Sequence, residues 1–254
     1  FCYRKVNNNE ANIKRNSESQ GDQLTNIVKY IYDLAKAKGI QEKQLWLDSI
    51  PSEIFLNQIK KKYNVKFEKN IIEPLIGEYD DPFNQKQGAL RLNLSKDGNT
   101  VIYGSADSGK GLLVGTIIYN TVTTHTTEEV QFYIMDFGSE TLKIFRNTPH
   151  VGDVIFINDS EKISRLFESI EQEIKNRKEI LSEYNGDYNL YKKINNNIMP
   201  TIIIIINNYG AFIENKYDEY DEKIQVITRE CVKYGIVFVI TATSHRDLRY
   251  KLIQ

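Results

Sequence analysis

The stretch Thr100-Val-Ile-Tyr-Gly-Ser-Ala-Asp-Ser-Gly-Lys-Gly-Leu-Leu-Val-Gly-Thr-Ile-Ile-Tyr119 decides the reading of the fold. A β-branched run ends at Gly104, four residues follow, and Gly109-Lys110 opens an apolar stretch of helical character. Strand, glycine-rich loop and helix in that order are the layout of a phosphate-binding P-loop. The glycines let backbone N–H groups turn toward a phosphate, and the helix N-terminus adds about half a positive charge. Lys110 is placed to reach the β- and γ-phosphates. Gly104, Ser105, Ala106, Asp107, Ser108, Gly109, Lys110, Gly111 and Leu112 form the candidate nucleotide-binding set.

The loop departs from a working P-loop at one position. A Ser or Thr after Gly-Lys supplies the hydroxyl that holds Mg²⁺, and here that residue is Gly111. Neither Ser108 nor Thr116 stands where it would replace the hydroxyl, and Asp107 adds a carboxylate to a loop built for anions. A second departure lies at the end of Pro200-Thr-Ile-Ile-Ile-Ile-Ile206. This β-branched run reads as a strand buried on both faces of a parallel sheet. In P-loop ATPases such a strand ends in an Asp of the magnesium shell, often followed by a Glu that activates water. Here the two residues are Asn207 and Asn208. An amide compensates a divalent cation poorly, and Asn208 is no general base. No catalytic or metal-ligating residue is assigned, and a weak or absent role for Mg²⁺ is expected.

The rest of the chain supports one α/β core with an appendage. Its 254 residues are 41% hydrophobic and 26% charged, with a net charge of −1. That balance offers no general electrostatic attraction for nucleic acid or an anionic membrane. No apolar run approaches the roughly 18–20 residues that span a bilayer. Cys2 and Cys231 suggest no disulfide framework.

Residues 1–20 read as a flexible lead-in. A helical stripe from Leu24 to Lys38 and a short helix near Ser52–Lys62 complete a connector, giving a division into 1–69 and 70–254. Ile71–Tyr79, a turn at Asp80-Asp81-Pro82 and Ala89–Leu94 read as a hairpin. Val130–Met135, Val154–Ile157, Ile202–Ile206 and Ile236–Thr241 read as further strands. They alternate with helices, one of them capped by Asp159 or Ser160, its Glu, Lys and Arg residues on a solvated face. The expectation is a mostly parallel sheet with helices on both faces. Asp136, at a strand end, fits either a place beside the phosphates or a turn cap. Thr243 and Arg246 follow the last strand, where ligands of open α/β sheets collect. Arg246 and Arg249 fit a plain surface role better than a contact to a phosphate or a neighbouring subunit. His125, His150 and His245 have no metal-ligand spacing.

With these residues in place, the chain resembles an FtsK/SpoIIIE-type ATPase module. More narrowly, it resembles the second tandem cytosolic module of the EssC family, the membrane-anchored motor of Firmicute type VII secretion. The resemblance rests on Pro74-Leu-Ile-Gly-Glu-Tyr-Asp-Asp-Pro82, Gly104–Lys110 and Tyr133-Ile-Met-Asp-Phe-Gly138. It continues through Pro149-His-Val-Gly-Asp153, Ile203–Tyr209 and Ile240-Thr-Ala-Thr-Ser-His-Arg246. It implies a RecA-like P-loop fold, ATP or ADP as ligand and a hexameric assembly. It further implies adjacent ATPase modules of the same chain, WXG100-type secreted substrates and other secretion-system membrane components as partners, with no nucleic acid. The implied location is the cytoplasmic face of the cell membrane. Family members continue beyond Tyr250-Lys-Leu-Ile-Gln254, so a fragment is expected. The departures at Gly111, Asn207 and Asn208 favour a binding but hydrolysis-deficient module over an active protein translocase module or a DNA translocase module.

Overall fold

The computed structural model describes residues 22–40, 47–195 and 199–248. The lead-in, Cys2, Trp46, Asn196, Asn197, Arg249 and the last residues lie outside them. The chain divides into two compact units, residues 1–47 and 48–254. The first unit holds α1 (Gln23–Ala37), whose N-cap Asp22 accepts a 2.7 Å hydrogen bond from the Thr25 N–H. That bond satisfies one of the donors every helix start leaves unpaired.

The second unit begins with α2 (Leu56–Lys62) and the antiparallel pair β1 (Leu75–Asp81) and β2 (Lys86–Arg91). The hairpin turn lies later than expected. Asp80 and Asp81 remain in the ladder opposite Gln87 and Lys86. The chain reverses over the following residues, where Asp81 accepts bonds from the Asn84 backbone and side chain. Leu94 likewise leaves the strand to open α3 (Leu94–Asp97), capped by Asn93.

Then come β3 (Thr100–Tyr103), α4 (Lys110–Thr124) and β4 (Val130–Asp136), a 3₁₀ turn (Thr141–Phe145), β5 (Val151–Phe156) and α5 (Ser160–Ser182). They are followed by α6 (Tyr188–Asn195), β6 (Thr201–Asn207), α7 (Tyr209–Phe212), α8 (Asp218–Glu230), a 3₁₀ turn (Cys231–Tyr234) and β7 (Ile236–Ala242). The five strands form one parallel sheet in the order β3-β7-β6-β4-β5. The isoleucine strand β6 lies between β7 and β4, as its apolar run requires.

Period-two alternation sorts its side chains. Ile203 and Ile205 pack with Val114, Ile117 and Ile118 of α4 on one face. Ile202, Ile204 and Ile206 pack with Ile163, Phe167 and Ile170 of α5 and Ile224 of α8 on the other. Helices therefore cover both faces of a P-loop NTPase fold.

One expectation for α5 fails. Arg177 belongs not to a solvated face but to the interior, at 1% exposure. Its guanidinium donates to the carbonyls of Tyr234 (2.7 Å), Gly235 (3.3 Å) and Pro200 (2.9 Å), and to Glu173 (2.7 Å). Carbonyls at the starts of β6 and β7 need a donor, and an arginine on the covering helix supplies several at once.

Candidate functional site

At the carboxyl end of the sheet the loop between β3 and α4 bounds a cleft of about 570 Å³. Two backbone features shape the loop. Gly109, the N-cap of α4, sits at φ +85°, which an L side chain resists. At Gly104 a Cβ would come within 2.3 Å of the Ser108 hydroxyl, which folds back across it. Asp107 also adopts a left-handed conformation, at φ +55°. No side chain caps α4, so the N–H groups of its first turn keep their donors for a ligand.

The Lys110 ammonium donates to the carbonyls of Gly104 (2.5 Å) and Ser105 (2.6 Å), tying the two ends of the loop together. Ala106, Asp107, Ser108, Gly109, Lys110, Gly111 and Leu112 line the cleft, as do Asn207, Asn208 and Thr243. Donors, a helix start and one ammonium around an open cleft form an anion-binding arrangement. Arg246 is exposed and is not among the lining residues; its N–H donates to the Ser244 hydroxyl.

Three groups in or behind the cleft wall escaped the sequence reading. Gly138, Ser139, Thr141 and Leu142 come from the turn after β4. The Gly138-Ser139 pair, one residue beyond the strand-end Asp136, is the available signal. Asp247 accepts hydrogen bonds from the N–H groups of Thr243 (2.7 Å) and Ser244 (3.0 Å) and from the Ser244 hydroxyl (3.1 Å). Burial opposes its ionisation, but these donors and the charge of Lys110 outweigh that and hold its carboxyl below the ordinary value.

The third is Thr241, the centre of a buried polar chain that ties three strand ends together. Its hydroxyl donates to Asn207 Oδ1 (2.8 Å) and accepts from the Asn208 N–H (2.8 Å). Asn207 Nδ2 in turn donates to Asp136 Oδ1 (2.8 Å). The same Asp136 oxygen accepts from the Gly138 N–H (3.1 Å), and its Oδ2 accepts from the Leu142 N–H (3.1 Å). Asp136, at 1% exposure, is thus a turn cap locked to an amide. Asn208 adopts φ +69°, a region asparagine tolerates better than most residues. Its side chain accepts from the Ala211 N–H (3.4 Å) and donates to the Phe137 carbonyl (3.3 Å).

These positions do not fit a magnesium ion held by the protein. Gly111 brings no hydroxyl, and the Asn207 oxygen is occupied by Thr241. Both oxygens of Asp136 are engaged by N–H donors. Among the described residues no cluster of three or more His, Cys, Asp or Glu has metal-binding geometry.

Sheet order, loop and cleft together define a protein of the P-loop NTPase fold. Residues 76–254 match the FtsK/SpoIIIE family, and the chain belongs to that family. It is 26% identical over 233 residues to the type VII secretion system protein EssC of Staphylococcus aureus, covering 89% of this chain and 16% of that protein. It is likewise 26% identical over 250 residues to the ESX secretion system protein YukB of Bacillus subtilis, covering 96% of this chain and 16% of that protein. Among solved structures, EssC ATPases 2 and 3 from Geobacillus thermodenitrificans superpose with a TM-score of 0.71 at 24% identity, covering 82% of this chain and 38% of that one. Thermomonospora curvata EccC ATPases 2 and 3, in complex with a signal sequence peptide, give 0.68 at 23% identity, covering 72% and 34%. The chain therefore spans about a sixth of the length of these curated relatives. No helix of the described residues is long and apolar enough to cross a membrane.

Proposed function

We propose that residues 70–254 form a nucleotide-binding, hydrolysis-deficient ATPase module of a type VII protein secretion motor, with residues 1–69 as its connector. The observation that carries the reading is the amide lock at the strand ends. Phosphoryl transfer depends on neutralising charge around the β- and γ-phosphates and on orienting the attacking water. Here Lys110 and the loop N–H groups serve binding, while Asn207 and Asn208 are committed to Asp136, Thr241 and the start of α7. ATP or ADP is the ligand, and its bound state sets contacts with neighbouring modules.

Similarity to EssC and YukB supports a place as the second cytosolic module of a membrane-anchored hexamer. That motor works at the cytoplasmic face of the membrane, alongside other secretion-system membrane components. It exports WXG100-type substrates and takes no nucleic acid.

The test is calorimetry of ATP and ADP binding with and without Mg²⁺, alongside phosphate release. Binding that Lys110→Ala weakens, that changes little with Mg²⁺ and that proceeds with background turnover is the expected result. Robust Lys110-dependent hydrolysis in the full-length protein with its other modules disabled would overturn the reading.

A further inference from the structure

Gly111 lacks a side chain, yet the space beside it holds a hydroxyl. A Cβ built on Gly111 would stand 3.3 Å from Thr141 Oγ1, its one neighbour within 4 Å among the described residues outside its own helix backbone. Thr141 opens the 3₁₀ turn after β4, and it lines the same cleft wall as Lys110 and Gly111. Its residue is exposed to the cleft, and its hydroxyl makes no hydrogen bond among the described residues. The Leu142 N–H next to it is anchored to Asp136, so the backbone carrying this hydroxyl is fixed. The loop lysine, the first turn of α4 and the Thr141 hydroxyl thus border one volume.

We infer that Thr141 belongs to the nucleotide site and that its hydroxyl stands in for the one missing at residue 111, as a hydrogen-bond donor to a phosphate oxygen. The inference rests on the nucleotide-binding reading above. The donor role follows from the neighbours. A hydroxyl serves as a cation ligand when a carboxylate helps to hold the ion, and the strand-end position that would provide one carries the amide of Asn207. A hydroxyl beside an anion and an ammonium donates its proton to the anion. Gly111 is then the residue that makes room for Thr141. A serine there crowds the threonine, because a 3.3 Å approach is tighter than most real Cβ contacts.

The experiment is calorimetric titration of the chain with ADP and ATP, in EDTA and in Mg²⁺. Thr141→Val should weaken binding about ten- to a hundredfold, the size of one hydrogen bond to a charged group, and equally in both buffers. Thr141→Ser should retain wild-type affinity. Gly111→Ser should weaken binding through crowding, and Gly111→Ser with Thr141→Ala should recover most of it, because the hydroxyl returns to the loop. Circular dichroism and the thermal midpoint confirm that each variant folds. Unchanged affinity in Thr141→Val, or a loss confined to Mg²⁺, would overturn the inference. Lys110→Ala separates the two levels: if it fails to weaken binding, the P-loop reading itself falls. If it weakens binding and Thr141→Val does not, only the role of Thr141 falls.

Discussion

The two ends of the parallel sheet solve opposite electrostatic problems. At the amino end the most deeply buried charge is a cation, Arg177, and carbonyls of Pro200, Tyr234 and Gly235 surround it, while the buried carboxylate of Glu129 accepts from the N–H groups of Asn70 and Thr126. Lys192 is buried there too, donating to the Thr201 hydroxyl at 3.1 Å and lying 4.5 Å over the Tyr188 ring. At the carboxyl end the buried charge is an anion, Asp136, and N–H groups surround it. Each of these two ions is thus held by backbone groups of opposite polarity. The ends differ in closure. The amino-end guanidinium is spent on structure, whereas the carboxyl end leaves one ammonium and a helix start beside an open cleft.

The strand joining the two ends sets the upper limit on damage. Ile204→Asp puts an unpaired charge between α5 and the sheet at a fully buried position. It should lower stability by about 4 kcal/mol or more. A urea midpoint equal to wild type would show that β6 tolerates opening.

At the amino end, Arg177→Met should cost about 3–5 kcal/mol by stranding the carbonyls it serves. It should leave the affinity for ADP unchanged. A variant that lost affinity with little loss of stability would couple the two ends and break the comparison.

At the carboxyl end, Asn207→Asp replaces a donor by a carboxylate 2.8 Å from Asp136 Oδ1. Two like charges at that separation cannot both ionise cheaply, and a loss of about 2 kcal/mol is expected at pH 8. The introduced group would have its folded pKa raised. Its destabilisation should therefore shrink as pH falls through the raised folded value toward about 4 and vanish below that, where it is protonated in folded and unfolded chains alike. A loss that stays constant between pH 8 and 4 would mean that the pair does not interact.

The smallest effect concerns Lys192, whose pKa burial pulls from 10.5 to about 8, with the charge of Arg177 adding to the shift. Between those values the unfolded chain holds the proton and the folded chain has lost it, so stability rises with pH. Two groups oppose this: the Cys231 thiol, pushed up by burial from 9.0 to about 12, above pH 9, and Tyr188, pushed up by burial from 10.0 to about 12, above pH 10. The clean window is pH 8 to 9. There Lys192→Met should remove roughly 1 kcal/mol of the pH-dependent gain, read from urea unfolding at pH 8 and 9. An identical slope in the variant would place the ammonium in contact with water.

What the sequence made legible follows the range of the interactions involved. The loop at Gly104–Lys110 and the run Ile202–Ile206 are local patterns, and both fold as their periodicity dictates. Arg177 read as a surface residue because its partners lie in Pro200, Tyr234 and Gly235, far along the chain. The hairpin turn was misplaced because Asp80-Asp81 reads as turn chemistry, while the ladder to Lys86 and Gln87 holds both in the strand. At the site, the absence of a hydroxyl at residue 111 was plain in the sequence, but the hydroxyl of Thr141 beside it depends on how the turn after β4 is folded. Asp136 was left between two roles, and only its three donors distinguish them.

The strand-end amide lock also bears on ancestry. A lineage moving from this site toward one with acidic strand-end residues would meet resistance at each separate step. A serine at residue 111 presses on Thr141. An aspartate at residue 207 faces Asp136 without its donor. A glutamate at residue 208 takes on a left-handed backbone that asparagine tolerates and gives up the bonds to Ala211 and Phe137. Each step crowds or gives up a contact that the present site makes, so the lock favours a return in which several substitutions arrive together.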